Sequence, residues 1–331
     1  MATLKDVAKL ACVDVSTVSR ALNNTSYVHP ETKERVYAAA RELGYHPNVI
    51  AQALRQGKRH TIGVVVPRLH MTIFSEVLQG VEKQARELGY ATLICTTNDD
   101  PRTEKDCLDR LRGGFCDGII IASTGHNRRL LRDIQAGGVE VVQLIRRQDP
   151  ELSSVVADYV ASGRDAVRFL YSRGCRRIGL INGYLHLAPY RDRYEGYLQA
   201  VRELGLEELT SHSEREVNSF RYGYECTAAL LDENPGLDAV VASVDVQGLG
   251  AIRAISERGL RIPEQIRVIS LTGHRVGRML ETTMSSMEMP AFDMGAEAAR
   301  MVIERIEAEP KRKGSSRHLS FDAVLAQRES T

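Results

Sequence analysis

Apolar residues recur at helical spacing up to about Leu43, and from about Thr61 they gather into short runs separated by amphipathic stretches. A chain that changes period in this way folds as a small helical unit followed by an α/β body. In the first part, Leu4, Val7, Ala8 and Ala11 share one face of a helix over about residues 4 to 11. Thr3 and Asp6 can start that helix with a capping box. After a turn at Cys12 and Val13, Asp14 can cap a second helix, with Val18 and Leu22 inward and Val15, Ser16, Thr17 and Arg20 outward. A third helix opens at Pro30, a good first helical residue, and runs to Leu43 with Val36, Ala40 and Leu43 inside.

The outward residues of the second helix have the chemistry of base readout. Arg20 can grip a guanine with two hydrogen bonds, Ser16 and Thr17 can bond bases or phosphates, and the methyls of Val15 suit a thymine methyl. Two short helices fit a hairpin without DNA function equally well, so charge decides between the readings. Residues 1 to 60 hold nine Lys or Arg against five Asp or Glu, whereas the remainder holds 35 against 38. The net charge of +1 therefore hides a basic head on a mildly acidic body. Nucleic-acid affinity is mainly electrostatic, which favours a DNA reader.

Downstream, Ile62 to Val66, Ala91 to Cys95, Gly118 to Ala122 and Val139 to Leu144 read as buried strands. Helical stretches such as Phe74 to Leu88 separate them. Ile178 to Asn182, Ala239 to Ser243 and Arg267 to Leu271 form a second set, and a last strand is expected around His318 to Phe321. Two such sets in about 270 residues predict two doubly wound, parallel-sheet lobes with a ligand between them. The basic stretch from Pro310 to Arg317 reads as a solvated loop.

Other functional classes find little support. No P-loop, nucleophile elbow, zinc-protease helix or dinucleotide fingerprint occurs, so neither an enzyme nor a cofactor is expected. The six cysteines lack zinc-ligand spacing and read as reduced thiols. No apolar stretch approaches a membrane span and the N-terminus lacks a secretory core, so a cytoplasmic protein with no membrane contact is expected.

The chain resembles the LacI/GalR family of transcriptional regulators over nearly its whole length. The resemblance rests on Thr3-Leu-x-Asp-Val-Ala8, Ser16-Thr-Val-Ser-Arg20, Asn23-Asn24, Thr32-x-x-x-Val36, Gly44-Tyr-x-Pro-Asn48, Ala51-x-x-Leu54, Ile62-Gly-Val64, Asp117-Gly-Ile-Ile120 and Gly248-x-Gly-Ala251. It implies a helix-turn-helix domain over 1–46, a hinge over 47–60 and a type I periplasmic-binding-protein-like core over 61–331. The core would divide into about 61–158 plus 290–320 and about 159–289 plus the C-terminus. It further implies a homodimer on a pseudo-palindromic operator, controlled by a small-molecule effector, a sugar or sugar phosphate. An exported sugar-binding protein would share the two lobes, but the missing leader and the basic head oppose that reading. The chain ends without heptads for a tetramerising coiled coil, so a dimer is the expected limit.

Residue by residue, the resemblance assigns DNA contact to Thr3, Val15, Ser16, Thr17, Ser19, Arg20, Asn23, Asn48 and Ala51, and a minor-groove wedge to Leu54. The segment from Pro47 to Gly57 is too short to be a stable helix by itself and orders only when held. For the effector it implies Arg193, three residues before Gly196, with Met71, Ile73 and Phe74 as an apolar wall. The family usually has Gly and Ser where this chain has Cys12 and Asp14. A usual acidic residue is replaced by Thr272, a polar one just before Asp245 by Val244, and a stacking aromatic by Asn218, for which Phe220 can substitute. With Arg68, Arg146 and His274 also in prospect, an anionic effector stands beside a neutral carbohydrate.

Overall fold

The computed structural model describes residues 2–23, 26–45, 58–213, 219–273, 275–309 and 315–331. The chain separates into two compact units, Met1–Arg59 and His60–Thr331. In the first, α1 (Leu4–Leu10), α2 (Val15–Asn23) and α3 (Pro30–Glu42) surround a core of small residues. Val7, Ala8, Ala11, Val18, Ala21, Val36, Ala39 and Ala40 are buried there, and their small volumes let three short helices approach closely. Leu22 and Leu43 pack at its edge.

The second unit contains two six-stranded sheets. The first is built from β1 (Thr61–Val66), β2 (Ala91–Thr96), β3 (Gly118–Ile121), β4 (Glu140–Leu144), β5 (Ser153–Ala157) and β11 (His318–Phe321). Its order is β11-β5-β4-β3-β1-β2, and every pairing is parallel. The second is built from β6 (Ile178–Tyr184), β7 (Leu209–Ser213), β8 (Ala239–Ala242), β9 (Arg267–Ser270), β10 (Ser285–Glu288) and β12 (Val324–Ala326). It follows the order β12-β10-β9-β8-β6-β7, with only the β10–β12 pairing antiparallel. Helices α4 (Thr72–Glu87), α5 (Pro101–Arg112), α6 (Arg128–Ala136) and α11 (Ala291–Glu307) belong with the first sheet. The second carries α7 (Tyr159–Ser172), α8 (Ala188–Glu203), α9 (Phe220–Glu233) and α10 (Asp245–Glu257). The chain passes between the lobes three times: from β5 to α7, from β10 to α11 and from β11 to β12.

Glycine fixes how the helices pair. A Cβ on Gly196 of α8 would sit 1.9 Å from the carbonyl oxygen of Val160 on α7, and one on Gly163 of α7 would sit 2.3 Å from that of Arg193. Backbone therefore meets backbone on both sides of the crossing. Gly80 with Gly295 and Gly223 with Gly250 do the same for α4/α11 and α9/α10.

The strand expectations need two corrections. Ala91–Thr96 is not a buried strand: Leu93 and Ile94 are exposed, because β2 lies at the sheet edge and apolar content alone does not separate edge from centre. Strands β5, β7, β10 and β12 carry too many serines or too few residues to read as apolar runs. Ser285 is nevertheless fully buried in β10, since its hydroxyl donates to the carbonyl of Arg328 and bonds the hydroxyl of Thr331.

Candidate nucleic-acid interface and effector cleft

The head places its reading helix through local bonds. The Thr3 amide donates to Asp6 Oδ2 at 2.8 Å and the Asp6 amide to Thr3 Oγ1 at 3.3 Å, so the capping box is formed. The Thr3 hydroxyl, which donates to the same carboxylate at 2.7 Å, and then the Thr3 amide hold the Asp6 carboxyl below its usual range. Cys12 turns the chain at φ +50°, a left-handed conformation that costs a non-glycine residue about 1–2 kcal/mol. Arg35 of α3 offsets part of that cost by donating from Nη2 to the carbonyl of Ala11 at 2.9 Å. Asp14 accepts the Thr17 and Val18 amides through its main-chain carbonyl, at 2.9 and 3.1 Å.

On α2, Val15, Ser16 and Arg20 are exposed, and Thr17 and Ser19 are half-buried. Arg20 Nη2 lies 3.3 Å from Ser16 Oγ, which puts donor and hydroxyl on one face. Asn23 is turned inward along its own helix, donating to the Ser19 carbonyl at 2.8 Å. Asn48, Ala51 and Leu54 of the hinge, and Asn218 and His274 of the core, lie outside the described residues.

In the core, residues from both lobes line a cavity of about 400 Å³ at the carboxyl ends of parallel strands, where open α/β sheets place their ligands. Met71 and Ile73 come from the start of α4, and Phe220, Val244, Asp245 and Thr272 from the second lobe. The sequence reading missed His70, Thr72 and Ser219, the polar members on either side. Ser219 had a signal, since its hydroxyl caps α9 by accepting the Tyr222 amide at 3.1 Å. Asp245 opens α10, where the helix dipole favours an anion. Its carboxylate accepts from Ser270 Oγ and, at 3.2 Å, from the Gly273 amide, while its own amide donates to Thr272 Oγ1 at 3.1 Å.

Two residues lie behind this lining. Phe74 is 2% exposed and packs in the core of the first lobe. Arg193 is 3% exposed, with its guanidinium carbon 4.8 Å from the Tyr159 ring centre and 5.9 Å from that of Tyr190. Its Nη2 donates to the Leu271 carbonyl at 3.4 Å, but Nε is buried with no hydrogen-bond partner among the described residues. Burial pushes its pKa down, against Tyr159, Tyr190, Asp245 and Asp192. Arg68 and Arg146 converge instead on Asp99, the former at 3.0 Å. Asn98 and Asp99, both left-handed at φ +52° and +61°, present that carboxylate.

Comparison with known proteins covers both units. Residues 3–48 match the family described as bacterial regulatory proteins, lacI family, and residues 59–329 match periplasmic binding proteins and sugar binding domain of LacI family. The chain is similar to the ribose operon repressor of Halalkalibacterium halodurans, at 31% identity over 94% of this chain and 92% of the relative. It is 30% identical to the HTH-type transcriptional regulator RegA of Clostridium saccharobutylicum over the full length of both. Among solved structures, a transcriptional regulator CelR–cellobiose complex shares 29% identity with a TM-score of 0.76 and complete coverage of both chains. No helix among the described residues is long and apolar enough to cross a membrane. With the helix-turn-helix head and the two-lobed core each matched along its length, the chain belongs to the LacI family of bacterial regulatory proteins.

Proposed function

We propose that this protein is a transcriptional repressor that binds a pseudo-palindromic operator as a homodimer and is controlled by a neutral carbohydrate in the Met71–Phe220–Thr272 cavity. The observation that carries this reading is the pairing, in one chain, of an exposed Val15/Ser16/Arg20 face with a cavity lined from two lobes. One head covers few base pairs, and twofold symmetry doubles both base contacts and phosphate neutralisation. The exposed edge of β2, with Leu93 and Ile94, offers a surface for a second copy. The relatives named as a ribose operon repressor and a cellobiose-bound regulator support repression and a sugar ligand. A neutral ligand is favoured because Arg68 and Arg146, two of the cations an anion would use, are paired with Asp99.

In this mechanism the Asp245–Thr272 pair receives sugar hydroxyls, one hydroxyl reaches past the lining to the unpartnered Nε of the buried Arg193, and closure of the lobes on the ligand changes their relative angle. That change separates the paired hinges, withdraws Leu54 from the minor groove and weakens operator binding. The coupling is reciprocal, so operator DNA lowers sugar affinity by the same factor. The test starts with operator selection from random DNA, followed by thermal-shift screening of sugars against the full-length protein. Arg20→Ala should then lose about 1–3 kcal/mol on the selected operator and relax preference at one base pair per half-site. Uniform weakening on all DNA would make Arg20 a phosphate contact, and selection of no preferred sequence would end the repressor reading.

A further inference from the structure

Residues of both lobes line a second cavity, of about 520 Å³, which shares no lining residue with the first. It lies where the chain leaves β3, β4 and β5 in one lobe and enters α8 in the other. The first lobe contributes Gly125, Arg128, Arg147 and Gln148, and the second His186, Arg191 and Asp192. Ala157, Tyr159 and Ala188 add an apolar wall.

The charges here do not balance. Asp192 is the only carboxylate in the lining among the described residues, and Arg191 already holds it at 3.2 Å. Arg128 donates Nε to the Gly125 carbonyl at 3.0 Å and Nη1 to the Gln148 carbonyl at 3.4 Å, and it forms no ion pair among the described residues. Arg147 is exposed and forms no ion pair among the described residues. His186 Nε2 is buried without a hydrogen-bond partner among the described residues, and its ring lies 4.6 Å from that of His126. Burial first, and then His126, Arg128 and Arg191, keep this imidazole below its ordinary pKa, against a hydrogen bond to the Thr124 backbone. Gln148 Nε2 reaches across to the carbonyl of His186 at 3.3 Å, so the same residues bridge the two lobes.

Arginine forks match phosphate oxygens in geometry as well as charge. The volume lies within the range of small-molecule sites and leaves room for an organic group beside the anion. We propose that this cavity binds a small phosphate monoester, its phosphate among Arg128, Arg147 and His186 and its organic part against the Tyr159 wall. The site is separate from the carbohydrate cleft and stands or falls independently of it. Because its ligands come from both lobes, an occupant ties them together at a second point.

The test is calorimetric titration of the full-length protein with glycerol 3-phosphate, inorganic phosphate and glycerol, with chloride holding ionic strength constant. Glycerol 3-phosphate should bind saturably at one per chain, inorganic phosphate at least tenfold more weakly, and glycerol not at all. The double variant Arg128→Ala/Arg147→Ala should weaken glycerol 3-phosphate at least tenfold. Thr272→Val, in the other cavity, should leave it unchanged. His186→Gln, which keeps a neutral donor, should retain most of the affinity and so separates a lost contact from a misfolded lobe. Absence of saturable binding, or full affinity in the double variant, would overturn the site. Equal binding of inorganic phosphate would overturn the monoester assignment. A chain that ignores every sugar yet passes these titrations would sink the carbohydrate reading alone.

Discussion

The head and the body are stabilised on different scales. Eight buried Val and Ala side chains make up the head's apolar core, whereas the body's lobes pack Ile, Leu, Phe and Met in several layers. A unit of about 60 residues buries a smaller share of its surface than a large one, so single bonds carry more of its stability. In the head those bonds are identifiable: the Thr3–Asp6 cap and the Arg35 tie to Ala11, the latter next to the strained, left-handed Cys12. In the body, the sensitive points are instead the glycine crossings, where no side chain can yield.

That contrast can be broken in order of expected effect. Gly196→Ala drives a methyl into the Val160 carbonyl and should destabilise the body by about 3 kcal/mol, near the upper end for overpacking. Urea unfolding followed by amide exchange should show the loss in α7 and α8, with head amides unchanged; uniform loss across both units would refute separate stabilisation. Next, Arg193→Ala should cost about 1.5–3 kcal/mol of sugar affinity, the range for a charged hydrogen bond, and leave operator affinity without sugar unchanged. With a neutral sugar, Arg193→Lys should rescue poorly and added salt should matter little, because the fork and not the charge is used. Calorimetry with the sugar found by screening checks both points.

The smaller effects lie in the head. Arg35→Ala removes the bond to Ala11 and should cost about 1 kcal/mol, read as faster exchange throughout α1 and α2. Cys12→Gly relieves about 1–2 kcal/mol of backbone strain but adds about 0.5–1 kcal/mol of unfolded-chain entropy. A net gain of about 0.5 kcal/mol should result, and a loss in the same measurement would show that the Cys12 side chain stabilises the turn.

What could be read from the sequence follows the same division. The head was legible because capping, helical spacing and turn residues all lie within a few positions of each other. The central strands β1, β3, β4, β6, β8 and β9 were legible because burial on both faces makes them continuous apolar runs. The exposure of β2 was hidden, since being at an edge is a property of the sheet and not of the strand. Arg193 stood beside a readable Gly196, but only the structure explains that spacing: the glycine lets α8 meet α7, and this sets how deep the arginine lies. Arg68 and Arg146 could not be discounted as ligands for an anion until Asp99, 31 and 47 positions away, came between them. The second cavity left no local signal, because Arg128, Arg147 and His186 meet only through the folding of separate loops.

The three passages of chain between the lobes restrict what any ligand can report. Two rigid plates stitched along one seam have essentially a single free coordinate, the angle at which they stand open. On the proposed mechanism, every molecule bound between them, whatever its chemistry, would be translated into a position on that one dial. Ligands in the two proposed cavities would then add or cancel without touching, much as two hands on the same door set one opening.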